Sequence, residues 1–296
     1  MIDVIVSALN CEKFLEKCLE SIVKQSIKCN IILVNPKPSK TYKEIRNKYK
    51  NFIKKEINTP DKGCANGLNN ALKYATCEYI AVLNGDDFFL QNSLIKIKKQ
   101  FLQKPDVLIG NGLIVNEKSI LIKDLISQKV FSGFMWAGSA SICHQATFIR
   151  KKIFDSGIKF NIQNNICWDS ELLLDIFLKK KYKFSYTQEK IGVFRLHKNS
   201  ISSSENIKPR IEAEIKKIFH KIYGRYPNIY EIFYYNILRR LLYLKKIPHL
   251  FMRIFLVKKR LFRLVYFFKQ QIFLKKTSSI NRLSFSFSIN FITIFF

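Results

Sequence analysis

Acidic residues are what this chain is short of: 22 Asp and Glu stand against 51 Lys and Arg in 296 residues, a formal charge of +29. An excess of that size would hold polyphosphate by counterion release, so nucleic acid is a partner class that must be weighed. No Cys-x-x-Cys pair occurs among the seven cysteines, and Cys18 falls on an apolar helix face. That usage fits a reduced cytosol better than an exported disulfide framework. Gly-rich phosphate loops, internal repeats and heptads are missing too, which excludes P-loop, solenoid and coiled-coil architectures. No apolar stretch reaches the roughly 20 residues that a membrane-spanning helix needs. The longest charge-free run near the end, Leu283 to Phe296, has 14 residues and is broken by Ser and Asn. The opening residues read as a strand rather than a charged-then-apolar signal, so export is not expected.

What is present is concentrated in two short segments. Pro60-Asp61-Lys62-Gly63 is followed some twenty residues on by Tyr79-Ile80-Ala81-Val82-Leu83-Asn84-Gly85-Asp86-Asp87. In the second, an apolar, strand-forming run delivers two adjacent carboxylates onto a loop, and in α/β proteins that end of a strand is where ligands sit. Two carboxylates side by side repel unless a cation lies between them, and Mg²⁺ or Mn²⁺ favours oxygen ligands and substrate phosphates. A plain Asp-Asp surface turn is the competing explanation.

The flanking pattern alternates strand and helix. Ile2 to Val6 reads as a buried strand, and Asn10 as the N-cap of a helix carrying Phe14, Leu15, Cys18, Leu19, Ile22 and Val23 at helical spacing. A strand at Ile31 to Val34 follows, then a helix with Tyr42, Ile45 and Tyr49 on one face. Next come a short strand from Phe52 to Ile57 and a helix from about Gly63 to Ala75. Such alternation predicts a mostly parallel sheet with right-handed crossovers, its carboxyl ends on one edge. Ser7, Asn35, Asp61 and Asp86 are expected to converge there. With 48% hydrophobic residues, the chain can bury one catalytic domain plus an appendage.

The order of these elements resembles family 2 glycosyltransferases of the GT-A fold. The words that carry the likeness are Val4-Ile5-Val6-Ser7-Ala8-Leu9-Asn10, the helix Phe14 to Ile22 with Gln25-Ser26, and Leu83-Asn84-Gly85-Asp86-Asp87. The Pro-Asp-Lys-Gly segment, His144-Gln145-Ala146-Thr147-Phe148 and Trp168-Asp169-Ser170-Glu171-Leu172-Leu173-Leu174 are similar to a bacterial subgroup that builds capsule, exopolysaccharide and lipopolysaccharide chains. The likeness runs to about Ser202.

The resemblance implies a Rossmann-like GT-A domain and an inverting, metal-dependent transferase of hexosyl or N-acetylhexosaminyl type. It implies Mn²⁺ or Mg²⁺ as cofactor, a nucleotide-sugar donor with UDP the expected nucleotide, and a lipid-linked or polysaccharide glycan acceptor. Asp86 and Asp87 take metal coordination and ribose contact, with the division between them open. Ser7, Asn35, Asp61 and Lys62 join Asp86 on the nucleotide-sugar side. Asp169 matches the general base that takes the acceptor hydroxyl's proton during in-line displacement. Asp169 also stands where an N-cap would stand, and Glu171 is the reserve base. Phe194-Arg195-Leu196-His197 resembles a late Arg-x-His element whose histidine helps hold the metal or the diphosphate. His144 and Trp168 fall on the acceptor side. For either histidine, an ordinary hydrogen-bonded structural role is equally open.

Three positions depart from the pattern. Val34 is followed by Asn35-Pro36-Lys37-Pro38-Ser39 rather than an acid-containing turn. Leu9 stands where an aromatic residue is usual, and Ala65-Asn66 replaces an aromatic and an acid. Altered donor recognition or lost activity would follow; retention of Asp86, Asp87 and Asp169 speaks for an enzyme. The rival reading is a non-catalytic binding protein of the same fold for nucleic acid or anionic lipid.

Charge is unevenly spread. From Glu205 onward there are 19 Lys plus Arg against 4 Asp plus Glu, interrupting large apolar residues such as Phe233, Leu238, Phe251, Leu264 and Phe267. Alternating clusters of this kind resemble helices lying in an anionic membrane interface. The expectation is therefore a catalytic domain over 1–204 and a basic, mostly α-helical region over 205–296. The protein would be cytoplasmic and peripheral on the inner face of the membrane. A helical bundle that completes the fold or forms a homodimer is the other arrangement open to that region.

Overall fold

The strands nearest the N-terminus are almost continuously apolar, as a sheet covered on both faces requires. The computed structural model describes residues 1–129, 134–138, 141–164, 166–198, 200 and 207–243. Its first half runs β1 (Ile2–Ser7), α1 (Glu12–Val23), β2 (Cys29–Val34), α2 (Lys40–Lys48), β3 (Ile53–Ile57), α3 (Cys64–Leu72), β4 (Tyr79–Asn84) and β5 (Phe88–Phe89). Then follow α4 (Ser93–Lys96), α5 (Lys98–Leu102), β6 (Val107–Val115), β7 (Leu121–Leu125), β8 (Thr147–Arg150), α6 (Lys151–Asp155) and α7 (Trp168–Leu178). The last described elements are β9 (Phe184–Arg195), α8 (Ile207–Tyr223) and α9 (Ile229–Tyr243).

The nine strands among the described residues form one sheet of order β3-β2-β1-β4-β8-β6-β9-β5, with β7 attached to β6. The parallel expectation holds from β3 to β4. Beyond β4 the sheet is mixed: β8 runs antiparallel to β4 and β6, while β6 and β9 are parallel. Alternate residues feed two cores. Val4, Val6, Leu33 and Leu83 pack with Leu15, Cys18, Leu19 and Ile22 of α1 on one face. Ile5, Ile32 and Val82 pack with Leu68 of α3 and Leu172, Leu173 and Ile176 of α7 on the other.

Two helix starts differ from expectation. Helix α1 begins after Cys11, not Asn10, and Asn10 takes φ 57°. Asn tolerates that left-handed conformation and here turns the chain instead of capping it. Helix α7 has Cys167 at its N-cap, so Asp169 lies inside the first turn. No side chain caps the helix; the loop before it is turned by Asn164, whose Oδ1 accepts from the N–H groups of Ile166 and Cys167 at 3.1 and 2.8 Å.

Contacts gather Met1–Tyr243 into one compact unit. Ile218 and Phe219 of α8 and Tyr235 of α9 join the same core as Trp136 and Leu173. The ring of Tyr235 covers Gly138 so closely that a Cβ there would overlap it, at 2.1 Å. Lys221 of α8 reaches Glu171 at 3.1 Å and Asp175 at 2.6 Å, both on α7. The expected boundary at 204, the basic segment from 244 to 296 and the side chains of 238–243 lie outside the described residues. Among the described residues no helix is long and apolar enough to cross a membrane.

Candidate active site

The carboxyl ends of β1, β2 and β4 finish level, because Ser7 pairs with Val34 on one side and Asn84 on the other. Ser7, Asn35 and the acid turn are thereby brought to one edge. Gly85 N donates to Ser7 O at 2.7 Å. A Cβ at Gly85 would meet Cys11 Sγ at 2.2 Å, so only glycine lets α1 approach the turn this closely. Asn35 is buried and uses both ends of its amide, Nδ2 donating to Ala8 O at 3.1 Å and Oδ1 accepting from Lys37 N at 3.0 Å. Asp61 Oδ1 accepts from Gly63 N at 2.9 Å, and Gly63 at φ 113° starts α3. Lys62 is exposed, its N–H on Asn66 Oδ1 at 3.2 Å. Cys64 donates to Ser7 Oγ at 3.7 Å; burial, then the charges of Asp61, Asp169 and Asp86, push its thiol up to about 11.

The two acids of the turn have opposite surroundings. Asp87 is fully buried: Oδ1 accepts from Arg195 N at 2.9 Å and Oδ2 from Gln145 Nε2 at 2.7 Å. Burial, with the Asp86 charge beside it, raises its pKa well above the usual carboxylate range. Asp86 is only partly buried, and its Oδ2 lies 2.9 Å from His197 Nε2. His197 in turn packs against Phe14 at 4.8 Å between centroids.

Arg195 grips this turn twice. Besides its N–H on Asp87, its Nε donates to Asp86 O at 2.9 Å. The guanidinium then donates to Glu117 O at 3.0 Å and Ser119 Oγ at 2.8 Å in the β6–β7 turn, and lies over the rings of Phe14 and Phe88. Almost wholly buried, Arg195 is a clamp rather than a group reaching into a cleft.

Opposite stands His144, on a 3-10 turn leading into β8. Its Nδ1 faces Asp169 Oδ2 at 3.4 Å; its Nε2 is 3.4 Å from Asn84 Nδ2 and 3.9 Å from Asp87 Oδ2. Burial pulls the imidazole pKa down, but the bond to Asp169 and the charges of Asp169, Asp87 and Asp86 outweigh it and favour the protonated form. Trp168 is buried between His144 and Phe160, edge-on to both at 5.4 Å. Asp169 keeps a partly exposed carboxylate, with Oδ1 accepting from Ser170 N at 2.7 Å. Glu171 points elsewhere: Asn161, Asn164 and Lys221 all donate to it within 3.1 Å, tying the loop before α7 to α7 and α8.

Ser7, Asp61, Asp86, Asp87, His144, Asp169 and His197 thus share one edge, while Glu171 does not. Gln145 and the clamp role of Arg195 escaped the sequence reading; a buried amide and a guanidinium aimed at backbone carbonyls leave no local signal. A larger cavity of about 460 Å³ lies at the opposite ends of the strands, lined by Lys28, Asn30, Asn51 and Lys54, with no carboxylate pair. A small hollow of about 30 Å³ touches His144, Trp168 and Asp169 but is otherwise lined mainly by apolar side chains such as Ile80, Val82, Phe160 and Leu172. No group of three or more His, Cys, Asp or Glu gathers as a metal cage among the described residues. The Asp86–His197 pair nevertheless fits Mg²⁺ or Mn²⁺, which take few protein ligands and fill the rest with water and substrate phosphates.

A parallel βαβ half ending in an acid turn, joined to a mixed half that closes over it, defines the GT-A fold class. A sequence model described as Glycosyl transferase family 2 matches residues 3–158, more than half of the chain, and the chain belongs to that family. Glycosyltransferase GlyG of Streptococcus pneumoniae is 24% identical over 225 residues, 69% of this chain and 74% of GlyG. UDP-Glc:alpha-D-GlcNAc-diphosphoundecaprenol beta-1,3-glucosyltransferase WfgD of Escherichia coli is 29% identical over 133 residues, 44% of this chain and 53% of WfgD. The chain therefore spans about three-quarters of one relative and half of the other. In structure it is similar to S. aureus TarS 1-349 in complex with UDP-GlcNAc, at TM-score 0.57 and 18% identity over 77% of this chain and 67% of that one. The mannosyltransferase PcManGT of Pyrobaculum calidifontis, in complex with GDP-Man and Mn2+, gives 0.56 and 12% over 82% and 70%.

Proposed function

We propose that this chain transfers a hexosyl or N-acetylhexosaminyl group from a nucleotide sugar to a glycan acceptor, with inversion at the anomeric carbon. The observation that carries this reading is one sheet edge holding Asp86 beside His197 on one side and Asp169 beside His144 on the other. Asp86 and His197 hold the divalent ion, Mn²⁺ or Mg²⁺; Asp87 anchors the turn that presents them. When bound, the ion supplies neutralisation of charge on the leaving diphosphate. Ser7, Asp61 and Lys62 line the nucleotide side, and Asn35 fixes the strand ends where a carboxylate is usual. Asp169 accepts the proton of the attacking hydroxyl at its Oδ2 as the bond forms, so its pKa need not approach that of an alcohol. His144 orients that carboxylate, and Trp168 walls the acceptor side.

The likeness to WfgD, a UDP-Glc:alpha-D-GlcNAc-diphosphoundecaprenol glucosyltransferase, and to TarS in complex with UDP-GlcNAc supports a UDP-sugar donor and, through WfgD, a lipid-linked acceptor. A capsule or lipopolysaccharide glycan built at the inner face of a bacterial membrane is the corresponding setting. The acid-free, cationic residues beyond Tyr243 support attachment to an anionic surface there.

Asp169→Asn tests the base. Asn still accepts the Ser170 N–H but takes no proton, so turnover should fall by about a hundredfold or more with little change in melting temperature. Normal transfer by this variant would remove Asp169 from the mechanism. Thermal shift across a panel of nucleotide sugars, with and without Mn²⁺, identifies the donor.

A further inference from the structure

Large apolar side chains on a helix surface ordinarily face a core. Helix α9 reverses this over its first turns. Glu231 and Tyr235 face inward, Glu231 accepting both guanidinium nitrogens of Arg225 and Tyr235 lying on Gly138. On the opposite side Ile229, Tyr230 and Phe233 are 75%, 73% and 65% exposed, and Tyr226, on the turn from α8, is exposed beside them. Spacing of i, i+1 and i+4 puts the three on one face. Contiguous exposed aromatic and aliphatic surface of this kind marks an interaction site.

The chain's own continuation indicates the occupant. Directly after Tyr243, the 53 residues 244–296 contain 11 Lys and Arg and not one Asp or Glu. A patch of Tyr, Phe and Ile continuous in sequence with an acid-free cationic segment has the composition of an interfacial element, aromatic rings at headgroup level and cations on anionic lipid. A second copy of this chain would bring the same positive charge to the same place, which opposes self-association through it.

We infer that the exposed face of α9, formed by Ile229, Tyr230 and Phe233, enters the interface of an anionic bilayer. This rests on the membrane-surface reading given above and adds to it a contact made by the folded unit itself. Its consequence is orientation. Helix α8 is tied to α7 through Lys221 with Glu171 and Asp175, and the turn that follows α8 is tied to α9 through Arg225 with Glu231. The helix that carries Asp169 is thus linked by two ion-paired steps to the surface that touches lipid.

The test uses the full chain and vesicles of phosphatidylcholine with or without phosphatidylglycerol. In Tyr230→Trp, the added indole should shift its emission to the blue only with phosphatidylglycerol present, since Trp136 and Trp168 are already buried. In Tyr230→Ser/Phe233→Ser, both exposed positions, melting temperature should hold while sedimentation in high salt weakens about tenfold, the salt-resistant part being apolar. Vesicle binding with no emission shift, or unchanged in the double variant, overturns the inference and leaves the tail's attachment standing. Failure of the unmodified chain to bind anionic vesicles overturns both. Emission already blue without lipid at every dilution assigns the face to the chain's own tail. Emission that turns blue with rising protein concentration assigns it to a second copy; either result excludes the bilayer.

Discussion

The two sides of the candidate cleft are held in different ways. On the proposed donor side, Ser7 ends β1, Asn35 directly follows β2, Asp86 lies two residues beyond β4 and Asp61 four residues beyond β3, and these strands pair in level parallel register. Backbone ladders position the chemistry there. On the proposed acceptor side, His144 rides a 3-10 turn and Asp169 the first turn of α7, and side chains distant in sequence stitch these elements and the acid turn together. Gln145 to Asp87 spans 58 positions, Arg195 to Asp86 109, and Lys221 to Glu171 50. A ladder fails only as a whole; a stitch can be cut by one substitution.

The sharpest way to break this comparison lies inside the acid turn, where both kinds of support meet. If Asp86 holds the ion as proposed, Asp86→Ala should lower turnover by roughly a hundredfold or more while melting temperature holds, because its partly exposed carboxylate lies outside the buried network. Asp87→Ala should also lose activity, but through stability. It leaves the Gln145 amide and the Arg195 N–H buried without an acceptor, at about 3 kcal/mol. Urea unfolding beside initial rates separates the two. Equal stability of both variants would mean that the buried network does not hold the turn.

This asymmetry also explains what could be read from the sequence. Strands β1 to β4, helices α1 to α3 and the acid turn announce themselves because apolar runs, helical spacing and turn residues are local signals. The split between Asp86 and Asp87 is not local: it is made by Gln145 and Arg195, which no spacing near the turn reveals. Asp169 and Glu171 invite the same misreading in reverse. Both are first-turn acids of one helix, yet Asp169 faces His144 while Glu171 is drawn off by Asn161, Asn164 and Lys221. The C-terminal helices show the limit of composition. Their cations and aromatics suggest a surface element, whereas Ile218, Phe219 and Tyr235 complete the core around Trp136.

A second, smaller effect tests the ladder side at its far end. Asp3 is buried where β1 meets the loop before β4, accepting from Thr76 N, from Cys77 N at 2.7 Å and from Asn30 Nδ2 at 2.9 Å. Burial alone would raise its pKa, but the Cys77, Asn30 and Thr76 bonds outweigh it and hold the carboxyl below its usual value. A depressed pKa contributes stability that is present above the unfolded value of about 3.9 and lost as pH falls through the folded one. Asp3→Asn should therefore cost about 2 kcal/mol at neutral pH, the scale of charged hydrogen bonds. That difference should shrink steadily as unfolding is repeated below pH 4. A gap that stays constant with pH would show that shape, not charge, is what Asp3 supplies.

The smallest effect is expected where the stitching is most exposed. Lys221 is 42% exposed as a side chain, so its pairs with Glu171 and Asp175 are partly screened, and Lys221→Met should cost only about 1 kcal/mol. Its kinetic consequence is the informative one. Glu171 remains bonded to Asn161 and Asn164, which fix the loop before α7, but α8 loses its grip on the helix that positions Asp169. A looser base lowers kcat a few-fold with KM for the donor unchanged, since the donor side does not depend on α8. Lys221→Arg, which keeps the charge, should restore most of it. A matching change in donor KM would show that the two sides move together, and the contrast between ladder and stitch would then describe the construction of the cleft but not its working.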